Sequence, residues 1–117
     1  MINVTYTSRE FSEVETYLMT IAPSIKTMKD VADGTSIAVA GIMSFEDVDE
    51  QTGGVDNITS IITPENVVYA FQSATFKRSL GDIANIMHGK PFSVIKTSGV
   101  TKGGRDFINC ELDITKL

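Results

Sequence analysis

The residues best suited to chemistry lie late in the chain. Gly99-Val100-Thr101-Lys102-Gly103-Gly104-Arg105-Asp106-Phe107 sets glycines, cations, a hydroxyl and an aromatic ring in one short run. The glycines predict a mobile hairpin tip, from which Lys102 and Arg105 reach phosphate oxygens and Thr101 donates a hydrogen bond. Alternation places Ile108, Cys110, Leu112 and Ile114 on one side of the following strand, so Phe107 is expected on the other. An exposed ring beside a basic hairpin is what base stacking along a single strand requires. A solubilising Gly-rich turn, with Phe107 covered by an N-terminal helix, fits the same residues. The run is not a P-loop, because no Gly-Lys-Ser/Thr leads into a helix.

A second pair of cations, Lys77 and Arg78, follows Phe76 at the start of a helix. Helix N-termini attract phosphate, and basic residues there oppose the macrodipole; ordinary surface charge is the alternative. Tyr69 and Phe71 share one side of a strand, a spacing that stacks successive bases or fills a core. Phe45 is expected in the core. Lys96, in the strand before the Gly-rich turn, joins the cations. The candidate nucleic-acid-binding set is Lys77, Arg78, Lys96, Lys102, Arg105, Phe107, Tyr69 and Phe71.

Other chemistry is poorly supplied. With one histidine and one cysteine, a His- or Cys-rich metal site cannot be built from one copy. A nucleophilic triad would need His88, which sits where a helix end favours a cap or surface role. Cys110 alternates with core positions and reads as a small buried hydrophobe. The acidic stretch 46–50, with Asp56, lacks calcium-loop spacing. No enzymatic activity, cofactor or metal is expected.

The net charge of −5 hides an asymmetry. Residues 1–73 carry three basic and eleven acidic side chains, −8; residues 74–117 carry seven basic and four acidic, +3. Folding can gather the positive charge on one surface, and local potential decides attraction to an anion.

These side chains need a scaffold. The 117 residues, 42% hydrophobic and 21% charged, suit one folded domain. No apolar run approaches the roughly 18 residues of a membrane span, and no secretory signal is visible. The lone cysteine fits a reducing, cytosolic compartment. Phe11, Val14, Leu18 and Ile21 predict one face of a helix over 8–21, capped by Thr7 with Glu10 or Ser12 with Glu15. Period-2 alternation predicts a strand over 35–46, with Gly41 marking a bend. Strands follow at 55–62 and 67–72, joined by the turn Thr63-Pro64-Glu65-Asn66. A helix over 75–88 shows Phe76, Leu80, Ile83 and Met87 on one face, is capped by Ser73 or Thr75, and ends at Gly89. Strands at 92–98 and 105–114 complete the chain. The expected fold is mainly β with two helices: an OB-fold-like five-stranded Greek-key barrel at 31–117, a helix between its third and fourth strands, and an extra helical extension at 1–30.

Asp-Gly-Thr at 33–35, Ser-Ala-Thr-Phe-Lys-Arg-Ser-Leu-Gly-Asp-Ile at 73–83 and Ser-Gly-Val-Thr-Lys-Gly-Gly-Arg-Asp-Phe-Ile at 98–108 occur in that order. Together they resemble the small single-stranded DNA-binding proteins of tailed bacteriophages, over roughly residues 26–114. The resemblance implies an OB-fold-like barrel that coats single-stranded DNA during phage replication in the host cytoplasm. It points to Lys102, Gly104 and Arg105, and to Lys77 and Arg78. The C-terminus Asp113-Ile114-Thr115-Lys116-Leu117 lacks the acidic tail through which housekeeping single-strand binders recruit replication proteins. The modest aromatic count favours weak binding per copy and cooperative coating. The competing expectation is a phage protein-interaction module that offers its acidic first 73 residues to a replication or host protein.

Overall fold

The computed structural model describes all residues, Met1–Leu117. The chain is mainly β with two helices, as expected, but it holds eight strands rather than five. β1 (Ile2–Thr7), α1 (Glu13–Thr20), β2 (Lys26–Thr27) and a 3-10 turn at Met28–Asp30 come first. β3 (Ser36–Val39), β4 (Gly41–Val48), β5 (Val55–Ile62) and β6 (Val68–Phe71) follow. α2 (Ala74–Met87), β7 (Phe92–Val100), β8 (Asp106–Leu112) and a second 3-10 turn at Ile114–Lys116 end the chain. No helix is long and apolar enough to cross a membrane.

Two compact units share these elements. Met1–Met28 and Ala40–Gln72 make the first, and Lys29–Val39 and Ser73–Leu117 the second. The expected single strand over 35–46 is divided between them. It breaks at Ala40, so β3 and β4 belong to different sheets. Neither sheet closes on itself, so two open sheets stand where one closed five-stranded barrel was expected.

The first unit is a five-stranded sheet in the order β1-β4-β5-β6-β2, antiparallel except for the β2–β6 pair. Residues 1–28 are built into it rather than appended to it. β1 pairs with β4, and Met19, Met43, Phe45, Ile62 and Val68 form a buried cluster with Ile2, Phe11, Leu18, Ile25 and Ile58 against it. Phe45 is core, as expected. The Ser12–Glu15 capping box is present, and Arg9 binds the same carboxylate at 2.8 Å. Arg9, then the Ser12 amide, hold the Glu15 carboxyl down at about 2. α1 turns only part of the expected face inward: Phe11 and Leu18 pack against the cluster as expected. Met19 is buried, whereas Val14, Tyr17 and Ile21 are exposed.

Gly41 serves a close approach, while the bend expected there falls at Ala40. A Cβ on Gly41 would lie 2.5 Å from the Phe11 ring, well inside van der Waals contact. The glycine lets Phe11 lie against the β4 backbone.

The second unit is a three-stranded antiparallel sheet, β3-β7-β8, with α2 packed along β8. Register puts Ile37, Val94, Lys96, Ile108, Cys110 and Leu112 on one face and Ile95, Thr97, Gly99, Phe107, Asn109 and Glu111 on the other. Ser73 caps α2 by accepting from the Phe76 N–H at 3.1 Å, and His88 closes it in the left-handed region with Gly89 beyond. Phe76 and Leu80 are fully buried. β8 stops at Leu112, two residues short of expectation. Asp113 is buried, accepts from Ser36 Oγ at 2.6 Å and caps the last turn, which leaves Ile114 exposed.

Candidate nucleic-acid interface

The Gly-rich run forms the tip of the β7–β8 hairpin. It is more ordered than its composition suggests, because Thr101 organises it. The Thr101 N–H donates to Arg105 O at 2.9 Å, its carbonyl accepts from Gly104 N–H at 2.9 Å, and its hydroxyl accepts from Arg105 N–H at 3.1 Å. Lys102 and Arg105 are exposed on this turn. Asp106 is the one acidic group in residues 99–107.

Phe107 lies opposite Gly99 in the hairpin register. A Cβ on Gly99 would fall 2.4 Å from the Phe107 ring, so the ring rests on bare backbone. It is half-buried, on the outer face expected from alternation. The missing Cβ at Gly99 leaves room for the far end of the Phe107 ring. A ring so placed keeps part of its surface for a stacking partner.

α2 brings the second pair of cations to this hairpin. Ser73 Oγ donates to the Ile108 carbonyl at 3.3 Å, which ties the helix start to β8 one residue from Phe107. At about 3.3 Å per residue, that anchor is roughly 10 Å along the strand from Arg105. Lys77 and Arg78 are exposed on the first turn and a half of the helix. Lys77, Arg78, Lys102, Arg105 and Phe107 therefore belong to one unit, the first pair at the start of a helix anchored to β8 and the others at the hairpin tip.

The other candidates fall away from this group. Lys96 is only 3% exposed. It shares the inner face with Val94 and Cys110, and its ammonium donates to Asp33 Oδ1 at 2.8 Å and to Ser98 Oγ at 3.2 Å. A buried, paired ammonium is not offered to phosphate, so Lys96 is a structural residue. Period-2 alternation from Val94 carried this signal. Phe71 is 5% exposed, so its ring is packed rather than presented. Tyr69 is half-buried, and both lie on β6 in the first unit.

Charge follows the division into units. The first unit holds two basic and nine acidic side chains, −7; the second holds eight basic and six acidic, +2. Cys110 is buried, and desolvation, with the nearby Glu111 charge, pushes its thiol up to about 12. His88 is exposed at the α2 cap. The structure has no cluster of three or more His, Cys, Asp or Glu placed to hold a metal ion. Asp49, in the acidic stretch, accepts from the Gln51 and Thr52 N–H groups and shapes its own turn.

No protein-family model, curated protein or solved structure matches this chain.

Proposed function

We propose that the chain binds single-stranded DNA with little sequence preference, without enzymatic activity, and coats it during bacteriophage replication. One observation carries this reading. Lys102, Arg105 and a half-open aromatic ring share one hairpin tip, and two further exposed cations, Lys77 and Arg78, lie in the same unit, whose net charge is positive. Cations along a strand path neutralise phosphates, and a half-exposed ring accepts any base because every base has a π-face.

Strand pairing supports an OB-like arrangement for the same reading. The run 35–48 pairs antiparallel through β3 with β7 and through β4 with β5, while β5 pairs with β6 and β7 with β8. These are the neighbours an OB-like barrel uses, short of its closing pair. The β7–β8 hairpin then occupies the place of a usual oligonucleotide-contacting loop.

Titration of oligo(dT), the matching duplex and RNA at several salt concentrations tests the proposal. Binding to oligo(dT) that weakens linearly on a log–log salt plot is expected. No binding at low salt and high micromolar protein would defeat it.

A second reading rests on α1. Val14, Tyr17 and Ile21 make an exposed apolar stripe on a unit of charge −7, which suits a basic protein partner in replication. Binding of one defined basic protein, lost in Tyr17→Ala with Ile21→Ala while oligo(dT) binding persists, would favour it.

A further inference from the structure

We propose that β1 is a self-pairing edge, through which two copies of the chain join strand to strand about a two-fold axis. The two sheets present four edge strands: β1, β2, β3 and β8. Unpaired backbone N–H and C=O groups on an edge recruit other strands unless the edge is short, charged or covered. β2 is two residues long and carries Lys26. β3 has four residues, only one of them exposed. β8 carries Asp106 and Glu111 and has α2 packed along it. β1 carries neither charge nor a covering helix, and only the bulge at Thr5 blunts it. It has six residues, Ile-Asn-Val-Thr-Tyr-Thr, with no charged side chain and no proline, and five of the six are exposed.

The backbone sets the register of the second strand. Met1 and Val48 exchange both hydrogen bonds, each 2.8 Å. In an antiparallel ladder such pairs alternate, so Asn3 also turns its backbone toward β4 while Ile2 and Val4 turn theirs to the open side. The pairing with β4 slips between Val4 and Tyr6, leaving Thr5 as a bulge that interrupts this alternation. The usable edge is therefore Ile2–Val4. Antiparallel self-pairing of that segment sets Ile2 opposite the second copy's Val4, with Asn3 on the two-fold axis. It forms four N–H···O bonds and brings two apolar pairs side by side, with Val4 now 42% exposed. Each β1 is then used up, so association closes at two copies. A segment this short makes a small interface, so the dimer is weak and depends on concentration.

Sedimentation velocity on the full chain without DNA, from tens of micromolar to about 1 mM, tests this. The mass should rise from 12.7 kDa toward twice that value and stop. Val4→Pro removes an outward N–H without touching the bonds to β4, and should hold the chain at the single-copy mass with its dilute melting temperature little changed. Should Val4→Pro not fold, amide exchange of the wild type decides. The Ile2 and Val4 amides should slow by about tenfold at high concentration. A wild type that remains single, grows beyond two copies, dimerises equally well as Val4→Pro, or keeps fast Ile2 and Val4 amides would overturn the proposal. A single-copy chain whose β1 instead accepts an extended peptide of another protein is one such outcome.

Discussion

Lys96 Nζ lies 2.8 Å from Asp33 Oδ1, with the lysine side chain nearly buried and the aspartate largely in solvent. Ser98 Oγ donates to the same carboxylate oxygen at 2.7 Å. The pair fastens the turn before β3 to β7, and two backbone bonds, Gly34 N–H to Lys96 O and Lys96 N–H to Thr35 O, reinforce it. A long cationic side chain on the inner face is tolerated because its charge finds this partner at the rim.

The first prediction concerns acid. The Lys96 and Ser98 hydrogen bonds hold the Asp33 carboxyl below its ordinary 3.8. Ser36 and Thr115 do the same for Asp113, and Arg9 for Glu15. Each group binds fewer protons folded than unfolded. Its contribution is therefore present above the ordinary carboxylate range and lost as pH falls through the lowered folded value. Urea midpoints should stay level near neutrality and fall from about pH 4.5 toward pH 2. Asp33→Asn should lower the midpoint at pH 7 and shrink the acid loss; an undiminished loss would remove Asp33 from it.

Salt dependence of oligo(dT) binding separates the cations. Lys102→Ala with Arg105→Ala should reduce the slope by about one to two, at roughly 0.7 per phosphate contact. Lys77→Ala with Arg78→Ala should reduce it less, because the helix start borders the hairpin. Lys96→Met should leave the slope unchanged. A lower slope in Lys96→Met would mean that the buried ammonium reaches the strand.

Phe107 and Gly99 should act as one device. Phe107→Ala should cost about 1–3 kcal/mol of binding and less stability than the roughly 3–5 kcal/mol of a fully buried phenylalanine. Gly99→Val drives a side chain into the ring and should weaken binding although it touches no cation. Fluorescence titration and chemical denaturation on both variants check this. Full affinity in Gly99→Val would show that the placement of the ring does not matter.

Gly41→Ala should cost about 1–3 kcal/mol by forcing Phe11 off β4. Adding Phe11→Leu should recover part of that loss. Denaturation of the two single variants and the double variant measures the coupling; simple additivity would mean the contact carries no strain.

Cys110 should resist alkylation in the folded chain at pH 8 and react once the chain is unfolded, because the thiolate is the reactive form and burial disfavours it. Mass spectrometry after iodoacetamide treatment reads the outcome. Rapid labelling of the folded chain would contradict the burial.

Sequence patterning located most elements because their inward and outward residues differ in polarity. β5, α2 and the turn at 63–66 follow expectation closely. β1 escaped notice because an edge strand with five exposed residues has almost no apolar–polar contrast. What makes it a strand is its backbone pairing with β4. Of the expected α1 face, Phe11 and Leu18 pack inward but Val14 and Ile21 do not, because Met19 and Ala22 occupy the buried positions beside Leu18. In the site, the hairpin cations and the outward Phe107 were legible from composition and alternation. Alternation from Val94 also places Lys96 inward, but its partner Asp33 is distant in sequence and cannot be read from it. The room that Gly99 leaves for Phe107 depends on the β7–β8 register, which a turn of uncertain length leaves open.

The break at Ala40 has a consequence for the order in which the chain can assemble. Everything the first sheet needs has been synthesised once Gln72 is made. β3 lies upstream of that point, yet its partner β7 begins only at Phe92. On the ribosome, residues 29–39 therefore emerge early and wait, looped out of a sheet that can already pair around them. Completion of the second sheet, and with it the cationic hairpin, must wait until β7 and β8 have been made. Its rate is governed by closure of a long loop rather than by any local turn.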